Sequence, residues 1–594
     1  MAESAPHDEG LKVPPTAPAN QDFASSRSSL SENEKEQHDE HELSQHAGQT
    51  DGGALEPVVT AGYASGARLI SIVIALVLAM FLVALDMTIV STAIPKITDQ
   101  FHSLQDVGWY GSAFFLLVAS STNLFGKAYK FFPLKTVFLT SIAIFEIGSL
   151  ICAVAPNSTA LIVGRAIAGL GGAGLASGVY SIIALSVTPQ QAPAYTGILG
   201  ATYGVASVIG PLLGGVFTDG PGWRWCFYIN LPIGGVSAAI IMFFFQTPKR
   251  HKQIDATWKE KMLQLDFSGT FLLTAAVVCI ILALQWGGTT KSWGSADVIG
   301  TIVGFFLILG VFVVNEYFVG GRALFAPKII KQKTIILMCL FICFVAGAFF
   351  TWLYYLPIYF QSIDGTSAAQ SGVRNLPLIL TVSIFSIVSG GTISATGHYL
   401  PIMVIGSIIT TIAAGLIYTW DIGTQSGHWI GYQILGGIGI GLIFQIPVIV
   451  GQAQVDPEDV SSATAIILFF QTITGSVFVS VAQSLFTNRI VSYTAQNIPT
   501  LSPQTVVQTG ATDLRKAFSG AELAGVLRAY MAGLKDAYTL IIPLTGIATL
   551  IAFVTIVWDY KVLNQKKPDA DAEQAVSGEK DIDATEKAPV EEKI

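Results

Sequence analysis

Between a polar beginning and a polar end, the chain carries about fourteen apolar stretches, each long enough to cross a bilayer as a helix. They fall near 69–94, 107–129, 135–155, 160–187, 195–217, 226–246, 268–286, 297–319, 335–360, 373–395, 401–418, 429–453, 463–487 and 538–558. A backbone in lipid must satisfy its own hydrogen bonds, and runs of this length do so as helices. Charged residues make up 12% of the chain, about half the share usual in soluble domains. The chain therefore reads as an all-α, multi-pass membrane protein, with the lipid bilayer as its surroundings.

Loop charges orient the spans. Arg68, Lys127, Lys130, Lys135, Lys249, Arg250, Lys252, Lys259, Lys261, Arg322, Lys328, Lys331, Lys333 and Lys561 fall on one side. The short loops of the other side hold Lys96, Arg224 and Lys291, with Arg374 at a helix edge. The positive-inside rule then puts both tails in the cytoplasm. The polar tails at 1–67 and 559–594 read as disordered, and the long loop at 488–537 as external. Helical periodicity at 514–535 suggests a helix lying along the membrane surface. The first apolar segment starts near Leu69 and is long enough to span, so no cleaved secretory leader is expected.

Several function classes find no support. No basic patch with interleaved aromatics points to nucleic acid, and no phosphate-binding loop or nucleophile motif points to an enzyme or to ATP-driven transport. No cofactor or metal is expected: His38, His41 and His46 read as part of a solvated tail. Cys152, Cys226, Cys279, Cys339 and Cys343 lack CxxC spacing and read as buried thiols, a Cys152–Cys226 disulfide being the less favoured alternative. The sequon at Asn157 lies in a loop so short that it is expected to stay unglycosylated.

An internal repeat divides the chain. Pro457 follows Pro189 by 268 residues in similar surroundings, and the same shift places Gly169 and Gly171 on Gly437 and Gly439. The organisation expected is a six-helix bundle at 68–246, a cytoplasmic loop and two inserted helices at 247–334, and a second six-helix bundle at 335–558.

The stretch 197–219 combines close-packing pairs Gly200/Gly204 and Gly210/Gly214 with Pro211, so tight packing and a bend near Ser207 are expected. Its core, Gly210-Pro211-Leu212-Leu213-Gly214-Gly215, resembles the antiporter motif of the major facilitator superfamily. Leu85-Asp86-Met87-Thr88-Ile89-Val90, Gly164-Arg165 with Gly169, and Trp223-Arg224-Trp225-Cys226-Phe227-Tyr228-Ile229-Asn230-Leu231-Pro232 resemble further motifs. Together they are similar to the fourteen-helix drug:proton antiporters (family 2) of that superfamily, especially fungal toxin-efflux pumps. The resemblance implies two six-helix bundles plus two inserted helices, and proton transfer in the region of Arg165. One loop departs from the superfamily: Lys130 stands in 126–135 where an acid is usual, so a gate latched by that acid does not carry over.

Three ionisable residues fall inside spans of the first bundle, Asp86, Glu146 and Arg165. Such groups cost about 2.5–3.5 kcal/mol to insert and are usually functional. The repeat places them on Tyr354, Ala414 and Gln433, and Gly210 and Pro211 on Phe478 and Val479. The first bundle is thus expected to handle protons, with 197–219 as its rocking surface, and the second to supply a more neutral wall. Candidate substrate-lining groups there are Trp352, Tyr354, Tyr355, Gln445, Gln452 and Gln471, which suit a small lipophilic ligand with a few polar groups. Glu316, near the end of its span, is expected to reach water.

The function expected is proton-coupled efflux of secondary-metabolite toxins or drugs by a monomer in the plasma membrane, with a vacuolar or vesicle membrane as the alternative. Uptake of a siderophore or basic amino acid, or a transporter-like sensor, remain the competing readings.

Overall fold

The computed structural model describes residues 63–101, 106–247, 256–288 and 291–585. Nearly all of the N-terminal tail, with His38, His41 and His46, lies outside these residues, as do Lys249, Arg250, Lys252 and the last nine residues of the C-terminal tail. Among the described residues fourteen long helices follow in order. They are α1 Gly66–Phe101, α2 Val107–Phe131, α3 Leu134–Ala153, α4 Ser158–Ser186, α5 Ala192–Asp219, α6 Asn230–Phe244 and α7 Phe267–Trp286. Then come α8 Ala296–Val319, α9 Lys333–Ser362, α10 Leu376–Thr396, α11 Leu400–Tyr418, α12 Ser426–Ile443, α13 Val460–Asn497 and α14 Gly520–Thr585.

Thirteen spans among the described residues are long and apolar enough to cross a membrane. The remaining helix, α2, has 25 residues but buries Ser120, Ser121, Thr122 and Asn123 in its middle. The Ser120 and Thr122 hydroxyls donate to the carbonyls of Leu116 and Val118, four residues back, so part of this polarity is met inside the helix.

The repeat is visible in the helix starts. Shifted by 268 residues, Gly66, Val107, Leu134, Ser158 and Ala192 fall at 334, 375, 402, 426 and 460, against Lys333, Leu376, Leu400, Ser426 and Val460. Packing repeats too. Gly169 of α4 lies against Phe114 of α2, and Gly437 of α12 against Leu378 and Val382 of α10; Gly171 lies against Phe145 of α3, and Gly439 against Thr410 of α11. A side chain at any of these four glycines would overlap a neighbouring helix, so small residues set how closely the helices approach. The two halves meet along two seams, α5 with α10 and α2 with α13.

The inserted helices differ from each other. α7 packs on α8 but also on α2 and α13, whereas α8 leaves Phe306, Tyr317 and Phe318 exposed to the surroundings.

The expectations for 514–535, the C-terminal tail and Glu316 are corrected; other residues fall as follows. The stretch 514–535 is not a surface helix: α13 continues to Asn497 and α14 starts at Gly520. Gly533 sits against Phe486, and Arg489 pairs with Asp536 at 3.6 Å, so the periodicity is spent on a helix pair rather than on lipid. Arg515, between them, donates to the carbonyls of Ser362 and Ile363 at the end of α9. The last helix runs on to Thr585, through tail residues rich in the helix formers Ala, Glu, Gln and Lys. Glu316 turns inward and accepts from the backbone N–H groups of Leu324 and Phe325 at 3.1 and 2.9 Å. All five cysteines are free; Cys152, Cys226 and Cys339 are buried, whereas Cys279 and Cys343 are partly exposed. Asn157 accepts from the Ala160 N–H at 2.9 Å as the N-cap of α4. α5 runs helically through Pro211 from Ala192 to Asp219.

Candidate functional site

Arg165, Asp86 and a third residue, Asn230, meet in the interior of the first half. All three side chains are fully buried. Arg165 Nη1 donates to Asp86 Oδ2, its Nε donates to the Tyr110 carbonyl at 2.8 Å, and its guanidinium lies 4.5 Å from the centre of the Phe114 ring. Asn230 of α6 donates to Asp86 Oδ1 at 3.2 Å and to Ser149 Oγ at 3.1 Å. Four helices, α1, α3, α4 and α6, are tied through one carboxylate. Asn230 escapes a search for charges, although an amide inside an apolar run is itself a signal. Gln433, at the repeat position of Arg165, makes a neutral version of the same tie: it donates to the Arg374 carbonyl, beside the start of α10, at 3.0 Å.

Glu146 lies one turn from Ser149 on α3. Both of its carboxyl oxygens are buried and have no hydrogen-bond partner among the described residues. The carboxyl rests against Gly234 of α6, where a side chain would take its place.

A cavity of about 710 Å³ lies between the halves, within the range of small-molecule sites. Among the described residues, no Asp, Glu, Lys, Arg or His lines it. Met80, Val83 and Met87 of α1 form an apolar wall, and α13 faces them with Gln471, Ser476, Ser480 and Gln483. Met87 brings the two sites together: it lines the cavity, accepts from the Tyr203 hydroxyl at 3.4 Å and follows Asp86 on α1.

Of the six candidate lining residues, Tyr354, Gln445 and Gln471 reach the cavity. Trp352 packs near Gly436, Tyr355 donates to Gln483 Oε1 at 3.2 Å, and Gln452 donates to the Tyr180 carbonyl across the halves at 3.2 Å. Gln445 reaches the cavity because α12 is interrupted. The helix stops at Ile443 and resumes as Ile446–Ala453, with Pro447 in its first turn. Proline has no N–H to offer the Ile443 carbonyl, and such breaks inside a membrane protein occur where backbone lines a cavity.

The antiporter-like glycines divide by partner. Gly200 abuts Gln445 and Gly204 abuts Ser383, both in the second half; Gly210 and Gly214 abut Thr88, Ile89 and Thr92 of α1. Gly215 has open space beside it.

At the basic end the halves are closed. Lys130 of α2 donates to Asp459 Oδ1 at 2.5 Å, and Lys328 donates to Asp459 Oδ2 at 3.1 Å. Burial pushes the Asp459 carboxyl up, but the hydrogen bonds from Lys130 and Lys328 outweigh it and hold it below the usual carboxylate range. Lys127 donates to the Arg322 carbonyl in the linker between α8 and α9. The cavity lining instead extends to Ile94, Trp109, Trp286 and Val507, toward the opposite end.

Residues 76–479 match the family model of the Major Facilitator Superfamily. The chain is 50% identical over 509 residues to "MFS-type transporter GME11371" of Pestalotiopsis microspora, covering 85% of this chain and 93% of that one. It is 45% identical over 512 residues to "MFS-type efflux pump MFS1" of Arthroderma benhamiae, covering 86% and 95%. The solved proton:xylose symporter XylE, bound to 6-bromo-6-deoxy-D-glucose, superposes with a TM-score of 0.54 at 12% identity, covering 83% of this chain and 96% of that one. Repeated helices, inserted pair, central cavity and sequence kinship agree: the chain belongs to the major facilitator superfamily and is a multi-pass membrane transporter, not an enzyme.

Proposed function

We propose that the chain exports small, uncharged lipophilic compounds in exchange for protons, by alternating access. The observation that carries this reading is the separation of two environments: a cavity whose described lining holds no Asp, Glu, Lys, Arg or His, beside a buried charge network that adjoins the cavity wall where Met87 follows Asp86 on α1. A charged substrate would lose its hydration in such a cavity with no counter-charge to replace it. A lipophilic molecule with a few polar groups gains from the apolar wall and from the amides of α13.

In the first half, Asp86 is committed to Arg165 and Asn230. Glu146 has no such donor, so a proton is the partner it can take. Loading Glu146 and moving α3 against α6 would alter the network around Ser149 and Asn230, and α1 would carry that change to Met80, Val83 and Met87. The basic end is the cytoplasmic end on the positive-inside rule, so the closed state described above faces outward. Relatives carrying the name efflux pump support the direction.

The test is reconstitution of the full chain in vesicles with an imposed pH gradient. Export of Nile red, an uncharged dye, should follow the gradient and stop when a protonophore removes it. Gradient-independent movement of the dye would remove the proton-coupled reading.

A further inference from the structure

We propose that the inserted helix α7 is a substrate-contacting wall of the cavity, and that Ile281, Leu284, Gln285 and Trp286 determine the size of molecule it accepts. This rests on the reading of the cavity as the substrate site. A spacer between two bundles would need only to cross the membrane, as α8 does with its exposed Phe306, Tyr317 and Phe318. α7 does more. Leu273, Val277 and Ile281, spaced at four residues, form one buried cluster with Leu116 of α2 and Phe469 of α13. This stripe seals α7 over the seam between the halves. One turn further on, the same face continues as Leu284 and Gln285, which line the cavity with Ile281 and Trp286.

Two ties hold this end of α7 in place. Gln285 Nε2 donates to Ser112 Oγ of α2 at 2.7 Å. Gly288, just past the helix, lies against the Asn488 side chain of α13 at a φ of 73°, a left-handed conformation that suits glycine. Lys291 Nζ stands 4.5 Å from the centre of the Trp286 ring, which fixes that ring at the cavity edge. α7 therefore touches both halves and the cavity at once. It has no counterpart in the repeat, so it makes the two sides of the cavity unequal. Ile281 and Leu284 line the cavity together with the amides and hydroxyls of α13, so an uncharged, largely aromatic molecule with one polar edge suits it.

The experiment measures equilibrium binding of two uncharged probes to purified full-length protein in nanodiscs: Nile red, which is large, and 2-naphthol, which is small. Leu284→Trp should weaken Nile red by about tenfold or more and leave 2-naphthol within about twofold, because added bulk in a filled site is felt by the larger ligand first. Gln285→Leu, a milder change, should alter the ratio of the two affinities in a protein that melts as the wild type does. Leu307→Trp on the exposed face of α8 should change neither. Variants of α7 that bind both probes like the wild type, or lose both equally, would overturn the proposal, as would a wild type that binds neither. Failure of the export reading shows separately, as absent gradient-driven transport by a wild type whose binding still responds to α7.

Discussion

Asp459 receives two cations, Lys130 of α2 at 2.5 Å and Lys328 of the α8–α9 linker at 3.1 Å, on a side chain only 6% exposed. One acid at the start of α13 thus binds the first half and the linker to the second half, at the end where the cavity is closed. Lys127 adds a bond from α2 to the same linker through the Arg322 carbonyl. Phe325 of the linker stacks near Phe469 and Phe470 of α13, with ring centres 5.2 and 6.0 Å apart. Opening toward the basic end requires these contacts to part together.

Charge reversal tests this closure. Hydrogen bonds to charged groups are worth about 1.5–3 kcal/mol, so Asp459→Lys should shift the balance of the two cavity orientations by about tenfold or more toward opening at the basic end. Combining it with Lys130→Asp should restore part of the shift, read by cysteine accessibility at each end. The pH response has a definite sign. Because Asp459 is held below the usual carboxylate range, its bonds are at full strength above the ordinary value of about 3.9 and are lost only as pH falls through the lower one. Between about pH 5 and 8 the closure should not titrate. Asp459→Asn should therefore change the orientation equally across that window; a mutant effect confined to low pH would count against this account.

Arg165→Ala should destabilise the protein strongly. It strands Asp86 at 0% exposure without its cation, and breaking a buried pair from one side costs about 3–5 kcal/mol. Arg165→Lys should recover little, since a single ammonium cannot reach Asp86 and the Tyr110 carbonyl in the guanidinium geometry. Asp86→Asn with Arg165→Gln should melt higher than Arg165→Ala alone. Thermal unfolding of purified protein decides this, and equal melting of the double and single variants would mean the pair is not the cause.

The helices and their repeat could be read from residues alone because apolar runs and the 268-residue shift survive in composition. Asp86 and Arg165 stand out for the same reason, as charges in apolar surroundings. Their third partner, Asn230, carries no charge and stands between Ile229 and Leu231, so a search for charges passes over it. Trp352, Tyr355 and Gln452 miss the cavity because spans apolar on every side give no phase: hydropathy says that a residue is in the membrane, not which way it faces. Lys130 and Asp459 are 329 residues apart, and no local pattern reports such a pairing. Nothing in the composition of the two inserted helices separates α7, which reaches the cavity, from α8, none of whose residues line it.

Glu146→Gln should uncouple transport without unfolding the chain. The carboxyl gives up no hydrogen bond on losing its charge, so melting should change by little, whereas gradient-driven export of Nile red should fall to the level of a protonophore-treated wild type. Binding of the dye should persist. Gly234→Val should act in the same direction by taking the space that the carboxyl occupies. Full gradient-driven export by Glu146→Gln would transfer the proton role to another group.

The two glycine pairs of α5 should separate into different defects. Ten residues at about 100° each turn Gly210 about 80° around the helix axis from Gly200, and the partners differ accordingly. Gly200 faces Gln445 of the interrupted α12 region in the second half, so Gly200→Leu pushes on the cavity and on the seam that must slide. Gly210 faces Thr88 and the backbone of Ile89 on α1, inside the first half, so Gly210→Leu drives α1 away from α5. Thr88 is two residues from Asp86, and that displacement reaches the charge network. In the second half the corresponding helix pair carries a large residue instead: Phe478, at the repeat position of Gly210, lies against Gly347 of α9. Overpacking costs about 1–3 kcal/mol. Gly210→Leu should lower the melting temperature and coupling together, whereas Gly200→Leu should weaken Nile red binding and slow turnover at near-normal stability. Equal melting losses in both variants would show that α5 packs as one undivided surface.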